Sequence, residues 1–289
     1  MRHPRLLVLV ASLLATGLSA QTPAPKVDFP APSPTATLKQ RVGLTDIEIV
    51  YSRPGVKGRV IFGGLEPWGE TWRAGANSAT KITFSTPVKV GGTELPAGSY
   101  GLFALLGQGE WTVILNKISD QWGAYKYDPK DDVVRVKVAP VALAEPVETF
   151  TIDINDIRDE SATLNLIWEK TRVSVPLAVD VSDVVVPQIV AAMAAPGQKS
   201  VGLLYRSADF YSDHNLDLKQ AVAWMDAAIA QQPDSFFLNT HKARIQAKLG
   251  DKAAAIATAQ HAIELAAKDT TAARDEYTRL NETLIKSLQ

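Results

Sequence analysis

The stretch VKVGGTELPAG, Val88 to Gly98, decides the fold of one half of the chain. Val88–Val90 and Thr93–Leu95 flank Gly91-Gly92, two residues that accept the positive φ a two-residue hairpin turn needs, so the stretch predicts paired antiparallel strands. Pro96-Ala97-Gly98 reverses the chain again, and Gly107-Gln108-Gly109 marks a further reversal. Outward from this hairpin the apolar residues keep a period near two. Ile47, Ile49 and Tyr51 oppose Glu48, Val50 and Ser52, and Phe150, Ile152 and Ile154 oppose Thr149, Thr151 and Asp153. Ile82 with Phe84, Leu164 with Leu166 and Trp168, and Val173 with Val175 and Leu177 repeat the pattern. Successive strand side chains point to opposite faces, so this alternation predicts half-buried strands. Roughly nine such strands with short connections suit an antiparallel sandwich or flattened barrel, which we place at residues 38–181.

From about Val185 to Gln289 the composition turns Ala-rich and the period becomes helical. Leu218, Ala221, Val222, Met225, Ala228 and Ile229 follow i, i+3, i+4, i+7 spacing, as do Ile256, Ala259, Ile263 and Ala266. The two segments superpose at an offset of 34, Asp217 on Asp251 and Ala221 on Ala255, with Leu249-Gly250-Asp251 as a tight turn. That offset is the tetratricopeptide period. The expectation for residues 185–289 is a tetratricopeptide-like hairpin bundle, capped by the strand domain or by a final helix over Ala272–Leu288; a generic helical hairpin bundle is the alternative. The fold class is thus α+β in two domains, all-β first and all-α second.

The N-terminus reads as an export signal. Arg2 and Arg5 precede the apolar run Leu6–Leu14, and small residues lead to Ala20 as the cleavage point, so residues 1–20 are expected to be removed. The run is shorter than the ~20 residues that cross a bilayer. Residues 21–37 carry five prolines in seventeen positions and are read as an extended linker. The expected location is bacterial, periplasmic or secreted.

The 30 Lys+Arg against 31 Asp+Glu argue against nucleic acid as a partner, because phosphate binding rests on a basic surface. The chain has no Cys, and its four His are His3, His214, His241 and His261, so the strand domain has neither residue type. That excludes from the strand domain a Ser-His-Asp triad, a Cys-His pair and a His-ligated metal. The helical histidines show no metal-ligand spacing and are expected at solvent-facing helix positions. No cofactor or metal is expected. Asp128, Asp131 and Asp132 lack the glycine and terminal glutamate of a calcium loop and read as a solvated turn.

The densest candidate surface is Tyr51–Asn77, YSRPGVKGRVIFGGLEPWGETWRAGAN. It interleaves Arg53, Lys57, Arg59 and Arg73 with Trp68 and Trp72, ends on Asn77, and contains six glycines. Guanidinium groups suit planar anions, and indole faces suit sugar rings. Glu66 and Glu70 lie among these cations and offer the competing reading, an internally paired loop over one end of the core. A second cluster, QWGAYKY, places Trp122 and Tyr125 beside a turn; with the first it would line a shared cleft, while Trp111 and Trp168 fall inside strand patterns and are expected in the core.

Three stretches, YSRPGVKGRVIFGGLEPWGETWRAGANSATKITFS, VKVGGTELPAGSYGLF and EWTVILNK…QWGAYKYDPKDDVVRVKV, resemble a secreted bacterial group, the domain-of-unknown-function family 2911. The resemblance covers about Leu38–Leu177. It implies an exported β-rich domain, sometimes followed by helical repeats, and supplies no activity and no catalytic residue. The functional expectation is an exported cell-envelope binding module. Its strand domain would hold an anionic or glycan-like ligand or a peptide through Arg53, Lys57, Arg59, Trp68, Trp72, Arg73, Asn77, Trp122 and Tyr125, and its helices a protein partner. A structural or assembly protein is the first alternative. A hydrolase of envelope polymers using carboxylates among Glu66, Glu70, Glu94 and Glu110 is the second.

Overall fold

A computed structural model describes residues 28–271 and 273–289. The expected export signal and cleavage point, His3 and the first residues of the Pro-rich stretch lie outside the described residues.

Among the described residues, eleven strands are followed by six α-helices. The first sheet has the order β1 (Thr35–Val42), β2 (Thr45–Ser52), β4 (Thr80–Phe84), β7 (Gly98–Leu105), β8 (Trp111–Asn116), β9 (Asp132–Val138), with the two-residue β3 (Thr71–Trp72) also paired to β7. The second runs β10 (Val141–Asn155), β11 (Ser161–Val179), β5 (Val88–Val90), β6 (Thr93–Leu95). Every pairing is antiparallel. Neither sheet closes on itself, so the architecture is a sandwich and not a barrel. Gly91 (φ 56°) and Gly92 (φ 86°) make the hairpin turn between β5 and β6, with Val90 opposite Thr93. The strand count exceeds the expected nine partly because β3 is too short to show a period. The first strand also starts at Thr35, inside the Pro-rich stretch, as an edge strand that proline tolerates nearby.

The alternating residues meet in one core between the sheets: Ile47, Ile49, Ile82 and Phe84 from one side, Phe150, Ile152, Leu166, Trp168 and Val175 from the other. At its centre Trp72 stacks on Trp168 (5.8 Å, 17°) and meets Phe62, Trp111 and Phe150 edge-on. Edge-to-face contacts among such rings add to their large apolar burial. The Tyr51 hydroxyl crosses between sheets, accepting from the Ile152 N–H (3.1 Å) and donating to its carbonyl (3.4 Å).

The helices are α1 (Ser182–Ala194), α2 (Val201–Asp213), α3 (Leu218–Gln231), α4 (Phe236–Leu249), α5 (Lys252–Ala266) and α6 (Ala273–Leu288). Each packs on the next from α2 onward. The 34-residue offset falls on equivalent N-caps: Asp217 accepts from the Gln220 N–H and Asp251 from the Ala254 N–H. Those caps satisfy otherwise orphaned amides. Val185 and Phe210 pack against both the sheet core and the helical core, joining the two parts.

Two expectations about polar residues change. His214 is not solvent-facing: its side chain is 8% exposed, stacks on Phe210 and lies 3.6 Å from Glu160, which also accepts from Ser182. His241 is largely buried and pairs with Asp209 at 2.8 Å. The Asp128–Asp132 turn is not simply solvated either, because Asp132 is buried and accepts from Asn116, Tyr127 and Arg135.

Candidate functional site

The chain after β2 leaves the first sheet and pairs with the second. Val56 donates to the Glu148 carbonyl (2.7 Å), Phe150 donates to the Pro54 carbonyl (2.9 Å), and Gly55 bridges Thr149. This pairing turns the side chains of the first candidate cluster toward main chain. Arg53 donates from Nε to the Phe150 carbonyl (3.0 Å) and from Nη2 to Thr151 Oγ1 (2.9 Å). Arg59 curls onto its own loop, donating to the Val56 and Gly55 carbonyls at 3.0 and 2.6 Å. Lys57 reaches the Pro32 carbonyl at 3.3 Å. Trp72 is 2% exposed within the aromatic core and offers no face to a ligand. Trp68 is partly exposed, but its indole covers Gly63, where a Cβ would lie 2.3 Å from Nε1 at φ +84°. The expected convergence of these cations on an open cavity does not occur; backbone carbonyls take them up, because the loop carries many acceptors that its irregular path leaves without strand partners.

Arg73 is half-buried, and its Nε has no hydrogen-bond partner among the described residues. Burial pushes the nearby Glu66 carboxyl up from 4.5 to about 7, against the opposing pull of Arg73 and Arg59. Glu94 and Glu110 instead sit in exposed ion pairs with Lys89 and Lys137.

A different part of the sandwich is open. Ala79 donates to the Gln121 carbonyl (2.9 Å), Gly123 donates to the Asn77 carbonyl (3.0 Å), and Ser78 bridges Trp122. This short ribbon brings Asn77 and Trp122, two of the expected site residues, to one cleft of about 800 Å³. Such a volume is within the range of small-molecule sites, about 300–1,000 Å³. Trp122 is 64% exposed on its rim, and Tyr125 nearby is 84% exposed with its ring folded over Gly123. The cross-strand partners Val50 and Lys81 lie in its floor. Lys81 pairs with Asp120 at 3.1 Å and holds that carboxyl below its usual value. Gln121 is buried; its Nε2 donates to the Ile118 carbonyl (3.2 Å), and its Oε1 has no partner among the described residues.

One wall is the chain's own lead-in to β1. Asn77 Nδ2 donates to the Ser33 carbonyl and to Ser52 Oγ, each 3.3 Å, and Arg53 N–H donates to the Pro34 carbonyl (2.9 Å). Asn77, Arg53 and Lys57 therefore bond to residues 32–34 of the Pro-rich segment. Lys81, Asp120 and Gln121 were missed from sequence. The outward phase of Lys81 in Lys81-Ile82-Thr83-Phe84 was the available signal, since it places the ammonium on the solvent face of the sheet.

Among the helices, a pocket of about 250 Å³ lies between α2 and α4, lined by Asp209, Asp213, His241, Arg244 and Lys248. Lys248 donates to the Ser212 carbonyl there. No helix among the described residues is long and apolar enough to cross a membrane.

No curated protein and no solved structure matches the chain. Residues 33–177, from the lead-in that walls the cleft through most of β11, match the family model described as "Protein of unknown function (DUF2911)", and the chain belongs to that family.

Proposed function

We propose that the protein is an exported cell-envelope binding module whose strand domain holds its ligand in the Asn77–Trp122 cleft. The observation that carries this reading is one cleft lined both by a largely exposed indole and by a buried glutamine whose amide oxygen has no partner among the described residues. A large ring in water and a buried acceptor without a partner each carry a cost, and a ligand that covers the ring and reaches the amide would relieve it. The basic, apolar and small-residue pattern of residues 1–20 supports export to the periplasm or beyond, with cleavage near Ala20. The groove between α2 and α4, with Arg244 and Lys248 beside it, supports a protein partner for the helical part.

Sedimentation of the full chain with purified envelope polymer tests the ligand-binding half. Binding that Trp122→Ala removes while melting behaviour stays unchanged supports the reading; equal binding by both proteins contradicts it. Cell fractionation with mass measurement of the mature N-terminus tests export.

The hydrolase alternative is favoured by the environment of Glu66, where burial raises the carboxyl to about 7 despite the nearby Arg73 and Arg59. Turnover of an envelope polymer that Glu66→Gln abolishes would support that alternative.

A further inference from the structure

We infer that the ligand of the cleft is a neutral saccharide, a proposal that rests on the cleft being the binding site. Gln121 Nε2 is committed to the Ile118 carbonyl, which fixes the amide orientation and leaves Oε1 as a buried acceptor. Asn77 Nδ2 is likewise committed, to the Ser33 carbonyl and Ser52 Oγ, which leaves its Oδ1 as an acceptor. Asp120 adds carboxylate oxygens. The amide atoms left uncommitted among these lining residues are acceptors, which favours a ligand that can donate. An ionised carboxylate has no donor to give and a phosphate has at most its residual P–OH, whereas each sugar hydroxyl donates as well as accepts.

Charge leads to the same class. The one lysine in the cleft wall, Lys81, is paired with Asp120 at 3.1 Å, so an anion would have to compete with a carboxylate already in place. Arg53 and Arg59, the groups best suited to planar anions, are bonded to carbonyls elsewhere. Shape completes the case. The Trp122 ring stands at the rim with 64% of its surface in solvent, a flat apolar face of the kind on which the C–H face of a pyranose stacks while its hydroxyls reach polar groups below.

The test is calorimetric titration of the full chain with cellohexaose, maltohexaose and chitohexaose, and in parallel with phosphate, citrate and polygalacturonate. We expect at least one neutral oligosaccharide to bind, with an affinity that changes little between about 50 and 500 mM salt. Trp122→Ala and Gln121→Leu should each weaken it about tenfold or more, which is 1.4 kcal/mol, with unchanged thermal unfolding. Binding confined to the anions, salt-sensitive and lost in Trp122→Ala, would overturn the saccharide class and leave the cleft as the site. Saccharide binding that survives Trp122→Ala would overturn the site itself. Failure of all three neutral oligosaccharides while envelope polymer still sediments the protein through Trp122 would overturn the saccharide inference alone.

Discussion

The loop Tyr51–Asn77 and the segment Asn116–Tyr127 both set aromatics among glycine and cations, yet their tryptophans meet different surroundings. In the first, Trp72 is 2% exposed and the Arg53 and Arg59 guanidiniums bond to carbonyls. In the second, Trp122 is 64% and Tyr125 84% exposed beside an open cleft. What separates them is the route of the main chain. Residues 54–56 pair with 148–150 across the sandwich and carry their neighbours inward. Residues 77–79 pair with 121–123 on the outer side and leave Trp122 in water. Composition identifies where aromatic and cationic groups are concentrated; backbone pairing decides which of them a ligand meets.

The sharpest way to break this comparison is to truncate one indole from each region. Trp72→Ala should destabilise the fold by about 3–5 kcal/mol, since it leaves a cavity among Phe62, Trp111, Phe150 and Trp168. Trp122→Ala should change stability by less than about 0.5 kcal/mol, the usual range for an exposed position. Urea unfolding of both variants measures this, and similar losses would end the inward–outward distinction. The same contrast holds for cations at smaller size. Arg53→Ala strands the Phe150 carbonyl and should cost about 1–3 kcal/mol, while Lys81→Ala, losing one partly exposed ion pair, should cost at most about 1 kcal/mol.

A third prediction sharpens the account of the first loop through pH. The Glu66 pKa is raised from 4.5 to about 7 in the folded chain, so the folded state holds a proton that the unfolded chain releases at lower pH. Stability linked to this group is complete below 4.5 and is lost as pH rises through about 7. Glu66→Gln should remove that decline. At about pH 8 the variant should be more stable than the parent by about 1–2 kcal/mol, allowing for screening of a half-exposed group, and the two should converge near pH 4. Parallel stability curves over this range would contradict the buried-carboxyl account.

The strand pattern was legible because burial on one face imposes a period of two, and each of Ile47, Ile49, Ile82, Phe84, Phe150, Ile152, Leu164 and Leu166 is buried as that period requires. The helical half was legible for a similar reason: Asp217 and Asp251 cap equivalent turns, and Ala221 and Ala255 are both fully buried. The site was legible only in part. Asn77 and Trp122 reach the cleft, whereas Arg53, Lys57 and Arg59 bond to segments far off or locally in the chain, including the lead-in at Pro32. Apart from Thr151 Oγ1, which Arg53 also reaches, those partners are backbone carbonyls, which carry no residue-type signature. Nothing in the spacing of Asn77 and Trp122 reveals that 45 residues of separation close through three residues of main-chain pairing, since 122 − 77 = 45. Gln121 went unread for a related reason: an orphaned amide oxygen exists only once the fold has committed the other half of the same amide to Ile118.

The most direct test uses the six tryptophans as reporters at positions 68, 72, 111, 122, 168 and 224. Full-length protein labelled with 5-fluorotryptophan would be titrated with a neutral oligosaccharide and followed by fluorine NMR, each resonance being assigned by a Trp→Phe variant. The account predicts a saturable shift of the Trp122 resonance, with Trp72, Trp111 and Trp168 unmoved in the core. A saturable shift at Trp68 or Trp72 with Trp122 unaffected would place the ligand on the inward loop and contradict the account.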